Sequence, residues 1–315
     1  MLRRGEKVVV ALGGNALIKT GEKPTISNQF KNAKKTMEYL IPLIKNENKL
    51  VITHGNGPQV GNILIRVEES LGKAYSIPLE VCVAESQGEL GYMIEQSLQN
   101  VLTKNKIKIP VVSVLTQVIV DKKDPAFKNP TKPIGPFYSK AQAQKIKKKG
   151  YKIVEQVGRG WRKVVASPKP KSIDDVKIID VLLKNKSIVI AAGGGGVPIV
   201  KDKGKILHGA PAVIDKDLAS ACLANSIKSK TLIILMNEPN AYLNYKKKNQ
   251  KPIKSLTIKE ASKLLKEGQF PKGSMGPKIE AAIKFIKKGG KHTIITSPNK
   301  IQKALIGQSG TIIKR

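Results

Sequence analysis

Short apolar runs alternate along this chain with stretches of helical periodicity. Val8 to Leu12 is a largely β-branched run closed by Gly13-Gly14, and Phe30, Ala33, Met37, Leu40, Ile41 and Ile44 then recur at helical spacing. The unit repeats: Leu50 to Thr53 ends at His54-Gly55-Asn56-Gly57-Pro58, and Val60, Ile63, Leu64 and Val67 follow on one helix face. Val111 to Leu115, Ile188 to Ala192, Thr231 to Leu235 and Thr293 to Thr296 predict further buried strands, and residues 84–102 and 275–288 predict helices. Strands that alternate with helices imply an α/β fold with a mostly parallel sheet covered on both faces. Between about Asp121 and Pro170 the pattern breaks into lysines and prolines, among them Pro125, Pro130, Pro133 and Pro136, which reads as a subdomain inserted into the sheet.

A length of 315 residues fits one large α/β domain or two lobes. Hydrophobic residues make up 40% and aromatics only 4%, so the core is expected to be Ile, Val, Leu and Ala. Charge changes the picture more: 57 Lys and Arg against 23 Asp and Glu leave a formal +34, which predicts attraction to anions. The basic residues are spread along the whole length, clusters such as 147–149 and 246–248 read as solvated faces, and few aromatics are available to stack bases. Nonspecific, salt-sensitive polyanion binding is therefore expected rather than a nucleic-acid-binding module. Cys82 and Cys222 are far apart and outside any C-x-x-C pair, which suits a reducing cytoplasm. The opening M-L-R-R-G-E-K-V-V-V-A-L-G-G runs into a glycine turn and reads as a first strand, not a signal peptide, and no apolar stretch approaches the ~20 residues of a membrane span.

The candidate chemistry lies in three glycine turns, each following a predicted buried strand: Gly13-Gly14-Asn15, Gly55-Asn56-Gly57, and the run from Gly193 through Gly194 and Gly195 to Gly196. Loops at the carboxyl ends of parallel strands line the ligand crevice, and glycine lets backbone N–H groups approach phosphate oxygens, so three such turns suggest a polyphosphate site. The first is not a P-loop, because Ile18 stands where glycine is needed before Lys19-Thr20; Pro198 and the spacing exclude a dinucleotide fingerprint at the third. Moving a phosphoryl group between anions needs nearby positive charge. Lys216, between Asp215 and Asp217 at an expected helix start, Lys132 in a proline-stiffened loop, and Lys278 at the start of an amphipathic helix are the candidates. An N-capped helix would explain the setting of Lys216 and an exposed rigid loop that of Lys132, and among 57 basic residues three well-placed lysines carry little weight by themselves. His54, His208 and His292 form no zinc motif, Ser86 lies in no G-x-S-x-G elbow, and His54 reads as a loop anchor.

Taken in order, V-A-L-G-G-N-A-L from Val10, T-H-G-N-G-P-Q-V-G from Thr53 to Gly61, D-P-A-F-K-N-P-T-K-P-I-G-P-F-Y from Asp124 to Tyr138, G-R-G-W-R from Gly158 to Arg162, V-I-D-K-D-L-A from Val213, and G-S-M-G-P-K from Gly273 to Lys278 resemble the carbamate kinases of the amino acid kinase fold. The resemblance covers essentially the whole chain. It implies a three-layer α/β/α sandwich, with an acceptor lobe over residues 1–222 that carries a protruding subdomain at 121–170, and a nucleotide lobe over 223–315. It implies reversible transfer between ATP/ADP and carbamate or carbamoyl phosphate, run toward ATP in arginine fermentation, by a cytoplasmic homodimer with no membrane association. Gly13, Gly14 and Asn15 would meet the migrating phosphoryl group; Gly55, Asn56 and Gly57 would wall the carbamate side. Lys216 would bridge the phosphates with Asp215 orienting it, and Lys132 would close over the site. Gly194, Gly195, Tyr245, Met275 and Lys278 would lie along the nucleotide, with Mg2+ held by nucleotide oxygens rather than by side chains.

The chain departs from the resemblance after Leu235, where Met236-Asn237-Glu238-Pro239 replaces the usual T-D-V segment near the nucleotide, while Asn244-Tyr245 matches. Two rivals therefore stay open at this level: an acetylglutamate kinase-like enzyme acting on another small acid, and a noncatalytic polyanion-binding relative.

Overall fold

The computed structural model describes every residue except Met1, Asn15, Ala16, Lys19, Thr20, Lys149, Val157 and Lys272. Eight strands form one sheet in the spatial order Ser255–Thr257, Thr311–Lys314, His292–Thr296, Thr231–Leu235, Lys7–Leu12, Lys49–His54, Ile188–Ile190 and Val111–Ser113. Its pairings are parallel except that of His292–Thr296 with Thr311–Lys314.

The continuous apolar runs follow from burial on both faces. Along Lys7–Leu12, Val9 and Ala11 pack with Ile179, Leu223, Ile279 and Phe285, whereas Val8, Val10 and Leu12 pack with Met37, Leu90, Ile94 and Leu98. Successive strand residues point to opposite faces, so a strand between two helix layers must be apolar at every position. Helices Ile26–Glu38 and Leu79–Lys104 cover one face; Val176–Lys184, Lys216–Ser226 and Met275–Lys287 cover the other. The result is a three-layer α/β/α sandwich. Among the described residues no helix is long and apolar enough to cross a membrane.

Two strands are shorter than their apolar runs. Val111–Ser113 stops two residues before the expected Leu115. The Gln87 amide brackets the Thr116 main chain, donating to its carbonyl at 3.1 Å and accepting from its N–H at 3.0 Å, and the chain turns there into a second sheet. Ile188–Ile190 ends early because Ala192 takes a left-handed conformation, φ 49°, that opens the glycine turn.

The second sheet runs Leu207–Gly209, Val197–Lys201, Gln117–Val120 and Pro170–Ile173. Between its last two strands in that order the chain forms a separate antiparallel sheet of Lys132–Tyr138, Gly160–Val165 and Ile153–Gln156, with the helix Lys140–Lys148 beside it. Prolines hide these strands from a periodicity reading. Lys132–Tyr138 is an edge strand, where Pro133 and Pro136 need not donate to a partner.

Candidate active site

The site begins with a helix cap. Asp215 precedes the helix Lys216–Ser226, and its Oδ1 accepts from the N–H groups of Asp217 at 3.0 Å and Leu218 at 3.3 Å. That cap leaves the second oxygen to face outward, where it receives Lys132 Nζ at 2.9 Å from the edge strand of the inserted sheet. One turn of helix thus links the main body to the protruding part.

Asp217 lies just inside. Its side chain is 3% exposed, Oδ1 accepts from Lys216 Nζ at 2.8 Å, and Oδ2 accepts from Lys278 Nζ at 3.1 Å. Of the two carboxylates flanking Lys216, Asp217 is the one that takes its hydrogen bond, while Asp215 caps the helix, holds Lys132 and adds its charge to the surroundings of Lys216. Burial pushes the Lys216 pKa down more than Asp217 can restore it, so its proton is held less firmly than on a free lysine. Burial also opposes the charged form of Lys278, but Asp217 outweighs it and raises that pKa. For Asp217 itself burial favours the neutral acid, yet the two ammonium groups prevail and hold the carboxylate well below its usual range. Three ammonium groups against two carboxylates make a centre that attracts anions.

Lys278 also lines a cleft of about 550 Å³. Its walls bring the cations Arg162 and Lys278 and the glycines Gly13 and Gly14 together with Tyr242, Tyr245, Phe270, Pro271 and Met275. A lining that carries both cations and aromatic rings suits a ligand that carries both phosphates and a flat ring. The Tyr242 and Tyr245 rings lie 5.9 Å apart, and Tyr245 donates its hydroxyl hydrogen to Glu238 at 3.2 Å. Met236, Asn237 and Glu238 also line this cleft.

On the other side of Lys216, Gly55 lies close enough that an added Cβ would stand 3.3 Å from the Lys216 Cδ. Asn56 is buried and donates to Ser86 Oγ at 2.8 Å, and Gly57 begins the next helix. Thr53 and Ser220 share a hydrogen bond of 2.6 Å that ties this strand to the helix carrying Lys216. His54 is buried, Nδ1 faces the Gly55 carbonyl at 3.2 Å, and burial lowers its pKa to about 4, so it is neutral at physiological pH and serves as an anchor.

Gly194 and Gly195 do not line the aromatic cleft. Both are buried, and an added Cβ would meet Asn56 Nδ2 at 2.2 Å or the Ile214 carbonyl at 2.4 Å. Gly194 lets the turn pack against Asn56, and Gly195 lets it pack against the Ile214 main chain that leads to Asp215. Asn15 lies outside the described residues.

Asp217 is legible as one of the two carboxylates flanking Lys216, since only one of them caps the helix and the other is free to bind the lysine. Three other contributors, Arg162, Tyr242 and Phe270, escaped the sequence reading. Arg162 stands in the G-R-G-W-R motif, but nothing there names its partner, the Gly135 carbonyl, to which Nε donates at 3.0 Å and Nη2 at 2.6 Å. Tyr242 and Phe270 are ordinary apolar positions until the fold brings them together. Among the described residues no group of three His, Cys, Asp or Glu side chains is arranged to hold a metal ion. The oxygens of Asp215 and Asp217 already accept from lysines and backbone N–H groups, so a divalent cation fits here as part of an anionic ligand.

Comparison with known proteins adds to this geometry. A family model described as the amino acid kinase family matches residues 6–297. The carbamate kinase of Pyrococcus horikoshii is 47% identical over 309 residues, which span 97% of this chain and 98% of that one. Two solved structures of carbamate kinase from Giardia lamblia each align over 98% of both chains: one bound to citric acid, with a TM-score of 0.93 at 41% identity, and one bound to AMP-PNP, with a TM-score of 0.90 at 42% identity.

Proposed function

The chain belongs to the amino acid kinase family and, within it, to the carbamate kinases, and from that premise we propose that it transfers a phosphoryl group reversibly between ATP/ADP and carbamate/carbamoyl phosphate. The observation that carries this reading is Asp217, buried between Lys216, which Gly55 adjoins, and Lys278, which lines the aromatic cleft. The nucleotide takes the cleft, its ring toward Tyr242, Tyr245, Phe270 and Met275, and its phosphates toward Gly13, Gly14, Arg162 and Lys278. Carbamate takes the side of Gly55, Asn56 and Gly57, with Gly194 packed against Asn56 in that wall and Gly195 against Ile214, next to Asp215. Asn15 belongs to the phosphoryl contacts by motif. The lobes divide accordingly at about residue 222, and the stretch 121–170 contributes Lys132.

In the ATP-forming direction a terminal oxygen of ADP attacks the phosphorus of carbamoyl phosphate, the bond from phosphorus to the carbamate oxygen breaks, and carbamate leaves with the electron pair. No proton moves, so no general base is required, in keeping with a neutral, anchored His54. The protein's part is positioning and charge: Lys216 and Lys278 offset negative charge spread over the equatorial oxygens, and Lys132 approaches from the inserted sheet. Mg2+ enters as part of the nucleotide substrate and screens the phosphate oxygens. A cytoplasmic homodimer working toward ATP in arginine fermentation completes the proposal and rests on the family resemblance alone.

The high, full-length likeness to carbamate kinases does not favour the acetylglutamate kinase-like reading, and the intact lysine set does not favour a noncatalytic one. A panel of acyl phosphates offered with MgADP tests the choice: ATP forms from carbamoyl phosphate and much more slowly from acetyl phosphate or N-acetylglutamyl phosphate. Equal or better use of the glutamyl substrate would move the chain to the rival activity.

A further inference from the structure

Gly61 and Gly135 belong to two of the sequence motifs, yet neither borders the cleft. They touch each other. A Cβ built on Gly61 would lie 2.0 Å from the Gly135 Cα and 2.3 Å from its backbone nitrogen, distances at which backbone must move. The helix Gly57–Glu69 and the edge strand Lys132–Tyr138 therefore meet main chain to main chain. Gly135 has φ +70° and sits where the strand's register with Gly160–Val165 shifts, so it is held in a conformation few other residues adopt. Its carbonyl is taken by Arg162, which lines the cleft.

The packing around this contact leads to both members of the Lys132–Asp215 ion pair. Ile134, two residues after Lys132, and Val213, two residues before Asp215, are buried in one small core with Val60, Ile63, Cys82 and Val83. Lys132 and Asp215 are 26% and 18% exposed, and a partly solvated ion pair contributes only about 0–1 kcal/mol. Such a pair is too weak to hold a protruding sheet in place.

We propose that the contact between Gly61 and Gly135 is the positioning device for Lys132, setting the depth at which this cation enters the site. The proposal rests on the assignment of Lys132 to phosphoryl transfer. Gly61→Ala must part helix and strand by about an ångström, since contacts below 3.0 Å do not persist, and a misplacement of about 1 Å can lower turnover ~10²-fold.

The test is a double-mutant cycle on the full chain with MgADP and carbamoyl phosphate, comparing wild type, Gly61→Ala, Lys132→Ala and the double variant. Gly61→Ala is expected to lower kcat about 10- to 100-fold with KM for MgADP within about twofold. Lys132→Ala is expected to lose much less in the Gly61→Ala background than alone, which a purely structural defect would not produce. Equal losses in both backgrounds, or wild-type kcat in Gly61→Ala, overturn the inference. If thermal melting shows Gly61→Ala unfolded, Ile134→Val, which loosens the same strand by one methylene-sized group, takes its place with the same expected non-additivity and the same overturning result. A folded wild type with no turnover overturns the kinase reading and this inference with it; wild-type turnover with additive losses overturns the inference alone.

Discussion

Of the three lysines that meet carboxylates at the site, Lys216 and Lys132 are held in opposite ways. Lys216 stands on a helix of the main body, 12% exposed, against an aspartate locked by a second lysine. Lys132 arrives from an edge strand of a separate sheet, 26% exposed, against an aspartate whose other oxygen caps that same helix. The difference teaches that the cationic centre has a fixed half built into the core and a delivered half whose position depends on one backbone contact. Charge alone does not separate these roles; burial and scaffolding do.

The sharpest way to break the comparison is Lys216→Ala. Loss of one preorganised charge at a developing anion is expected to lower kcat about 10²–10³-fold, measured as initial rate at saturating MgADP, with circular dichroism unchanged. Asp217→Asn attacks the fixed half from the other side. It leaves two buried ammonium groups without their shared anion, and thermal or urea unfolding should show a loss of about 3–5 kcal/mol. It also sharpens a pH prediction. Because the Lys216 pKa is lowered, activity should fall on the alkaline side below the ordinary lysine value as the ammonium is lost; without Asp217 that limb should move to still lower pH, and an unmoved limb would detach it from Lys216.

Lys132→Ala tests the delivered half. Turnover should drop about 10- to 100-fold, while stability changes by less than about 1 kcal/mol, because the pair is partly solvated. A stability loss as large as that of Asp217→Asn would erase the distinction between the halves. The smallest effect is expected at Glu238→Ala, which releases the Tyr245 hydroxyl: loss of about 1 kcal/mol raises KM for MgADP about fivefold, with kcat little changed.

The apolar runs made the main sheet legible, since burial on both faces leaves no polar position to obscure a strand. The three lysines were legible from their settings, and the structure joins Lys132, Lys216 and Lys278 through just two aspartates. Pairings across space were not. Which of Asp215 and Asp217 meets Lys216 depends on which one caps the helix. That Gly194 packs against Asn56 and Gly195 against Ile214 depends on a left-handed turn at Ala192. The strands of the inserted sheet were hidden by prolines that an edge position tolerates.

The most direct test of the central claim is ATP formation from MgADP and carbamoyl phosphate by the purified protein, with Lys216→Ala alongside at saturating MgADP. The account predicts sustained ATP synthesis by the wild type and nearly none by the folded variant. A folded wild type that makes no ATP, or a variant that matches it, would contradict the claim that the cations gathered by Asp215 and Asp217 carry phosphoryl transfer.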